Sequence, residues 1–372
     1  MENNKKSILF VLAHLNINGG VARVLVNLCN HLDLDKYDIS ILPLYRVDKE
    51  LVDMIDSRIK IKKGFGLYFK GFSHLLHLIP KRWLYRLLVR DKYDIEIAFQ
   101  TDIPTLMIAA SANKNAVHVF WMHGYHLWRE SYLTGDAIYC VSKCNADRCR
   151  TEMNSSVPVD YCYNLIDDEK IISLSKERID TAERDCIEFV SVGRFTSEKG
   201  YPRLVRILSE LHEEGYVFHL TLVGDGPERN MIEQEISRLN MSEHITLVGK
   251  QVNPHKYTAK ADVFICSSFS EGYSTACTEA AVLGIPIITT YVAGGQEIIN
   301  DCECGMITSI DDNSLKDAIK FALDSPKTIE QWKQIMAKTR AKFSKNSRLI
   351  KIKSVFEKLA ILSDQRIKEI DN

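Results

Sequence analysis

Apolar residues along this chain gather in short continuous runs, and polar, helix-patterned stretches separate the runs. In the first half the runs predict strands at Ser7–Ala13, Asp38–Leu44, Asp94–Phe99, Val117–Met122, Ala137–Val141 and Val159–Tyr163. The second half repeats the theme at Ile187–Val192, His219–Val223, Ile245–Val248, Val263–Cys266 and Ile287–Thr289. Amphipathic stretches between them predict helices at Val21–Leu32, Tyr201–Glu214, Glu228–Leu239, Ser274–Leu283 and Ser314–Asp324. Strands that alternate with helices argue for parallel sheets covered on both faces. Two such sets predict an α/β protein with two doubly wound domains, each binding ligand at the carboxyl ends of its strands. The polar stretch Asp167–Asp185 is the expected join. A final helix, about Lys345–Ile370, is strongly charged on one side.

One segment breaks the rhythm. Between Arg58 and Lys92 lie Lys60, Lys62, Lys63, Lys70, Lys81, Arg82, Arg86 and Arg90, with Asp91 the lone acid. Phe65, Tyr68, Phe69, Phe72, Trp83 and Tyr85 are interleaved with them. Cations set among aromatic side chains suit the surface of an anionic membrane, against the plainer reading of a solvated basic face over a buried apolar one. No recognition motif accompanies the charge, so nucleic acid is not an expected partner.

Composition narrows the picture slightly. A length of 372 residues fits two domains, and a net charge of −1 supplies no overall field for nucleic acid or anionic lipid. Of the ten cysteines, only Cys140, Cys144 and Cys149 approach the spacing of a zinc site. They lack a C-x2-C pair or a nearby histidine pair, so buried thiols in a reducing compartment are the better reading. Lys5 and Lys6 before Ile8–Leu15 imitate a signal peptide. His14 interrupts that run, and Asn16, Asn18, Gly19 and Gly20 follow it in place of a small-residue cleavage site. The run reads instead as a first strand entering a glycine turn. No run approaches the roughly 20 apolar residues of a membrane span, and the expected location is cytoplasmic, with a peripheral position on the inner face of the membrane as the companion reading.

The chemistry concentrates near the end of the chain. Glu271 and Glu279 stand eight residues apart in Ser-Glu-Gly-Tyr-Ser-Thr-Ala-Cys-Thr-Glu-Ala-Ala. A strand precedes them, and the helix that follows is stopped by Gly284 and Pro286. The turn Gly272-Tyr273-Ser274-Thr275 would aim backbone N–H groups and a helix N-terminus at one spot, which suits a phosphate. Upstream, Arg194 and Lys199 follow a strand and sit five residues apart across a turn, so both cations can face one pocket and grip phosphate oxygens. Two carboxylates flanking an anion site fit a ligand with a diphosphate at its centre and hydroxyl-rich rings at both ends, such as a nucleotide sugar.

These segments, taken in order, resemble the retaining glycosyltransferases of family 4, which have the GT-B fold of two Rossmann-like domains facing each other across a cleft. The resembling runs are Val192-Gly193-Arg194-Phe195-Thr196-Ser197-Glu198-Lys199-Gly200, Val223-Gly224-Asp225-Gly226-Pro227, Ile245-Thr246-Leu247-Val248-Gly249, Glu271-x7-Glu279 and Gly294-Gly295-Gln296-Glu297-Ile298-Ile299. The resemblance is strong over residues 186–310 and looser before them. It implies an acceptor-binding domain at 1–167, a nucleotide-sugar domain at 186–345, and a C-terminal helix, 346–372, returning to the first domain.

The resemblance also implies roles. Arg194 and Lys199 would bind the donor diphosphate, Glu279 the ribose hydroxyls, and Glu271 the donor sugar near the reaction centre. Gly19 and Gly20 would form a glycine loop beside the phosphate. His123 would lie near the donor sugar, with His126 as its rival, and Asn164 would be structural. The donor would be a UDP- or GDP-sugar, and the acceptor a saccharide or lipid-linked intermediate. No cofactor is implied. No Asp-x-Asp lies near these motifs, so transfer without a metal is expected. Where the family often has Gly-Phe-Gly-Leu after the first glutamate, this chain has Gly272-Tyr273-Ser274-Thr275, which leaves the donor sugar open. A sugar-nucleotide epimerase of similar fold and a non-catalytic nucleotide-sugar-binding protein are the alternatives. The set Arg194, Lys199, Glu271 and Glu279 argues against both. A dinucleotide oxidoreductase is disfavoured because no G-x-G-x-x-G follows the first strand.

Overall fold

The computed structural model describes residues 5–16, 20–69, 71–126, 128–179 and 184–371, with side chains described as far as 368. Two compact units form. One comprises residues 1–165 and 348–372, and the other residues 166–347.

The first unit is built on a seven-stranded sheet. Its strands are β1 (Lys6–Leu12), β2 (Tyr37–Pro43), β3 (Lys60–Ile61), β4 (Ile95–Ala98), β5 (Val117–Met122), β6 (Ala137–Cys140) and β7 (Val159–Tyr161), in the order β3-β2-β1-β4-β5-β6-β7. Every pairing is parallel. The second unit has β8 (Ile187–Val192), β9 (Phe218–Val223), β10 (Ile245–Gly249), β11 (Val263–Cys266), β12 (Ile287–Thr290) and β13 (Gly305–Thr308), in the order β10-β9-β8-β11-β12-β13, again all parallel. The two-domain α/β expectation therefore holds. Both orders reverse direction once, between β1 and β4 in the first sheet and between β8 and β11 in the second, and such reversals open crevices at the carboxyl ends of the strands.

Burial explains why the strand runs are apolar throughout. Ile8, Leu9, Phe10, Val11 and Leu12 are all within 1% of complete burial, because helices cover both faces of the sheet. Part of that cover is the C-terminal helix Lys345–Asp371. Phe356 lies against Phe10, Tyr37 and Trp121 with ring centroids 6.0–6.2 Å apart. Lys6 pairs with Asp364 at 2.7 Å, Lys351 with Asp160 at 2.7 Å, and Arg366 donates to the Ala116 carbonyl and to Asp136. In the second unit the core gathers Phe189, Phe218, Leu220, Leu204, Leu208 and Ile319.

The sequence places a linker at 167–185, but residues 168–175 form a helix there. Asp167 caps it by accepting from the Lys170 N–H, and Asn253 donates 2.8 Å to the Leu174 carbonyl. Two short strands were not expected. β3 is two residues long, and β13 begins at Gly305, where a Cβ would stand 2.1 Å from the Ile287 carbonyl oxygen of β12.

The basic segment folds into two short helices, Phe72–His77 and Lys81–Leu88. Leu84 and Tyr85 turn inward, and the Tyr85 hydroxyl donates 2.5 Å to the buried Glu96. Several of its cations are already engaged. Arg58 pairs with Asp56, Lys60 with Asp38 and Lys62 with Asp91. Lys81 caps the preceding helix by donating to the carbonyls of Leu76, His77 and Ile79. Trp83, Leu78 and Leu87 are exposed at 72%, 81% and 56%, and exposed Arg82 and Arg86 share their helix with Trp83 and Leu87. Among the described residues no helix is long and apolar enough to cross a membrane.

Candidate active site

In the second unit the crevice between β8 and β11 is shaped by glycines that have no room for a side chain. A Cβ on Gly193 would stand 2.6 Å from the Tyr201 hydroxyl. One on Gly224 would stand 1.8 Å from the Gly193 carbonyl oxygen, and one on Gly226 2.4 Å from that of Phe195. The turns leaving β8 and β9 thus cross in backbone contact, which only glycine permits. This contact holds the Arg194–Lys199 turn in place. The turn is also stapled to the chain leaving β11. The Phe269 N–H donates 2.7 Å to the Glu198 carbonyl, and the Ser267 hydroxyl donates 2.8 Å to that of Lys199. Arg203, 2% exposed, donates to the Ser267 and Ile310 carbonyls from beneath.

The reward of this stapling is one tight contact. Lys199 Nζ donates 2.6 Å to Glu271 Oε1, and the Ser268 hydroxyl donates 2.7 Å to the same oxygen. Burial opposes the Lys199 charge, but the Glu271 carboxylate more than offsets it and holds the ammonium above its ordinary pKa. The cation is therefore fully formed at neutral pH within a recess that Ser191, Tyr201, Cys266 and Ser274 help to line. Arg194 stands exposed on the same turn.

The helix Thr275–Leu283 begins at this recess. Ser274 caps it by accepting from the Cys277 N–H at 3.3 Å, and Gly284, at φ 78°, ends it. Tyr273 is 5% exposed and packs on Gly294, where a Cβ would meet its ring at 2.5 Å. The loop Gly272–Thr275 is thereby held between β11 and the Gly294-Gly295 turn. Glu279 lies one turn into the helix, 3.7 Å from Nδ1 of His255. His255, Ser268 and Arg203 escaped the sequence reading, because each lies outside the motifs and only the fold brings it to them.

The remaining expected residues lie in the first unit or outside the described residues. Gly19 is among the latter, and Gly20 is the first residue of the helix Gly20–His31. His123 follows β5, with its ring edge-on to Phe99 at 4.5 Å. Burial pushes its pKa down to about 3, so the imidazole is neutral. Its Nε2 is buried without a hydrogen-bond partner among the described residues. His126 is exposed, and its carbonyl accepts from the Tyr132 hydroxyl. Of the three cysteines at zinc-like spacing, Cys140 and Cys149 are buried and Cys144 is exposed.

The recess holds the Lys199 ammonium, the Glu271 carboxylate and the start of the Thr275–Leu283 helix, while Arg194 stands on the turn after β8 and Glu279 one turn into that helix. That set can neutralise a diphosphate and hold hydroxyls on either side of it.

Residues 175–348 match the family model described as Glycosyl transferases group 1. The chain is 32% identical over 182 residues to a Campylobacter jejuni enzyme named N-acetylgalactosamine-N,N'-diacetylbacillosaminyl-diphospho-undecaprenol 4-alpha-N-acetylgalactosaminyltransferase, a match that spans 48% of each chain. It is 24% identical over 314 residues to the lipopolysaccharide core biosynthesis glycosyltransferase LpsD of Rhizobium meliloti, covering 84% of this chain and 87% of that one. The chain thus spans about half the length of the first relative and most of the second. Among solved structures, Anabaena Alr3699/HepE in complex with UDP-glucose superposes with a TM-score of 0.76 at 18% identity, covering 95% of this chain and 99% of that one.

Proposed function

We propose, from the match of residues 175–348 to the family model described as Glycosyl transferases group 1, that the chain transfers a sugar from a nucleoside-diphosphate donor to a hydroxyl of a glycan or lipid-linked acceptor in cell-surface glycan synthesis. The observation that carries this reading is the Lys199–Glu271 contact at the start of the Thr275–Leu283 helix. Cleaving the bond between the anomeric carbon and the diphosphate leaves negative charge on the phosphate and positive charge on the ring. Lys199 and Arg194, with the helix N-terminus, take up the first. Glu271 holds Lys199 in place before the donor arrives and lies beside the sugar afterwards. Glu279, oriented by His255, takes the ribose hydroxyls.

We assign retention of anomeric configuration by a front-face route, in which the departing phosphate oxygen accepts the acceptor's proton and no protein base is required. Neutral His123 offers its buried nitrogen to the donor sugar. The cations at the recess do the work for which other transferases use a divalent metal, so transfer proceeds in EDTA. The names of the relatives support a lipid-linked or polysaccharide acceptor. The exposed Leu78, Trp83 and Leu87 beside Arg82 and Arg86 support contact with an anionic bilayer.

The test is a thermal-shift panel of UDP- and GDP-sugars in EDTA, followed by transfer assays on the donor that binds. A ligand at 100 times its Kd stabilises by about 2.7 kcal/mol, a shift of several degrees in Tm. Lys199→Ala should abolish the shift and lower kcat/KM by roughly 10²–10³. A panel without any shift, or an unaffected Lys199→Ala protein, overturns the reading. Isomerisation of the donor without an acceptor would favour an epimerase instead.

A further inference from the structure

The recess of the second unit contains two thiols that the donor chemistry does not use. Cys266 is the last residue of β11, and Cys277 lies in the first turn of the Thr275–Leu283 helix. They are 5% and 1% exposed. The chain between them carries Ser267, Ser268, Glu271 and the Gly272–Thr275 turn, so the pair brackets the segment that shapes the recess.

The two thiols hydrogen-bond to each other. Cys266 Sγ also stands 3.5 Å from the Ser268 hydroxyl. That hydroxyl donates 2.7 Å to Glu271 Oε1, the oxygen that receives Lys199 Nζ. A polar chain thus runs from Cys277 through Cys266, Ser268 and Glu271 to Lys199. At its far end the Cys277 N–H donates 3.3 Å to the Ser274 hydroxyl that caps the helix.

The sulfurs differ in the way that thiol oxidation requires. Cys266 lines the recess with Lys199, Ser268 and Glu271, and Cys277 is not part of that lining. The hydrogen bond from Cys277 holds the Cys266 thiol down to about 7 against its burial, with Ser268 and the Lys199 charge acting in the same direction. The same bond, together with burial, pushes Cys277 up. Cys266 is therefore the thiolate that faces the recess, and Cys277 is the protonated partner beside it. Cys29, 0% exposed in the first unit, shows the structural case: burial alone acts on it and raises its pKa.

We propose that Cys266 and Cys277 form an oxidation site, which hydrogen peroxide converts to a disulfide that weakens the hold of the recess on a diphosphate. The Cys266 thiolate attacks one peroxide oxygen and breaks the O–O bond, leaving a sulfenic acid and a hydroxide ion. The Cys277 sulfur then displaces the sulfenic oxygen, which leaves as water with the Cys277 proton. The proton that Cys266 released on ionising neutralises the hydroxide. Two thiols are oxidised, one peroxide is reduced and two waters form. Joining the sulfurs draws the first turn of the helix towards the end of β11. The amides at the helix N-terminus then move off the phosphate position. This consequence rests on the reading of the recess as a donor site, whereas formation of the disulfide does not.

The test is oxidation of the full chain with hydrogen peroxide, then alkylation, cleavage after glutamate and mass spectrometry. Glu271 lies between the cysteines, so the bond leaves His244–Glu271 joined to Gly272–Glu279. UDP is titrated against the same samples by thermal shift. Peroxide should join the two peptides and weaken UDP by about tenfold or more, and dithiothreitol should restore both. In Cys277→Ala no joined peptide should form. Cys266 then oxidises further to the sulfinic acid, so UDP binding, once lost, should not return with dithiothreitol. Cys149→Ala, which breaks another thiol pair in the first unit, should respond as wild type does. The proposal is overturned if the peptides stay separate, if the oxidised protein binds UDP as the reduced one does, or if Cys277→Ala recovers with dithiothreitol as fully as wild type. It is overturned too if Cys149→Ala abolishes the response. A reduced wild type that shows no shift with UDP sinks the donor reading and the weakening with it, while the joined peptides still decide the oxidation site.

Discussion

The two sheets reverse strand order in the same way, yet the crevices they open are built from opposite materials. At β8/β11 the wall is backbone. Gly193, Gly224 and Gly226 press turns together, and Ser267, Phe269 and Arg203 staple them until a lysine and a glutamate meet at 2.6 Å. At β1/β4 the wall is side chain. The rings of His14, Tyr45 and Tyr68 pack together, Trp128 lies parallel to His77, His77 pairs with Asp102, and the Tyr45 hydroxyl and Trp128 Nε1 have no hydrogen-bond partner among the described residues. A crevice of fixed charge and close backbone suits a diphosphate, whose shape hardly varies between donors. One of aromatic faces and polar side chains offers stacking surfaces and directional hydrogen bonds, a lining that suits a ligand of another shape. The difference shows how a single fold, used twice, can build two unlike linings at the same topological position.

The largest break in this comparison comes from glycines. Gly224→Ala would drive a Cβ to within 1.8 Å of the Gly193 carbonyl oxygen at φ 154°. We expect a loss on the order of 3 kcal/mol or more in urea unfolding. Gly20→Ala, at the first residue of its helix, would meet nothing within 4 Å and should leave the unfolding free energy within about 0.5 kcal/mol or raise it slightly. Equal effects at the two positions would mean that the second crevice is not held by backbone contact.

That contrast also explains what could be read from the sequence. The strand runs were legible because parallel strands buried on both faces must be apolar throughout. Val117–Met122, Ile187–Val192 and Val263–Cys266 occupy the positions their composition requires. The second unit's candidate site left a signature in the sequence because its constraints are local: a glycine that must touch backbone is followed a few residues later by a cation. The first unit's cluster leaves none. His14, Tyr45, Asp102 and Trp128 come from four separate loops, and nothing in their spacing joins them. The positive φ of Asp102 and the pairing of His255 with Glu279 exist only in three dimensions. β3 was missed because two residues carry no pattern, and β13 because its opening glycine reads as a turn. Lys81 read as a surface cation, but it serves as a helix cap because three carbonyls converge on its ammonium.

Surface charge offers a second comparison. Half-buried cations of the second unit are paired within it: Lys316 with Glu210 and Glu214, Lys320 with Glu214, Arg229 with Glu233. Arg82 and Arg86 lie on the same helix as exposed Trp83 and Leu87. A basic side chain near an anionic membrane contributes about 1 kcal/mol. Arg82→Ala with Arg86→Ala should therefore lower partitioning onto phosphatidylserine vesicles by roughly 30-fold in sedimentation, whereas Lys316→Ala with Lys320→Ala should change it little. Equal losses from the two pairs would assign the effect to net charge and remove the membrane face.

The smallest effect tests whether the second crevice is as rigidly specified as its glycines suggest. Glu279 is partly buried, and His255 Nδ1 stands 3.7 Å away, beyond a direct hydrogen bond. The pair is therefore aligned more loosely than Lys199 with Glu271. If Glu279 takes the ribose, Glu279→Ala should raise the donor KM by about tenfold, near 1.4 kcal/mol, and leave kcat within a factor of a few, because ribose contacts are made equally in the ground state and the transition state. His255→Ala should raise KM by a smaller factor in the same direction, and His255→Gln should recover part of it. The double variant should then cost less than the sum of the two singles, because both changes disturb one contact. Additive effects would separate the two residues, and a fall in kcat with KM unchanged would move Glu279 from the ribose to the reacting sugar.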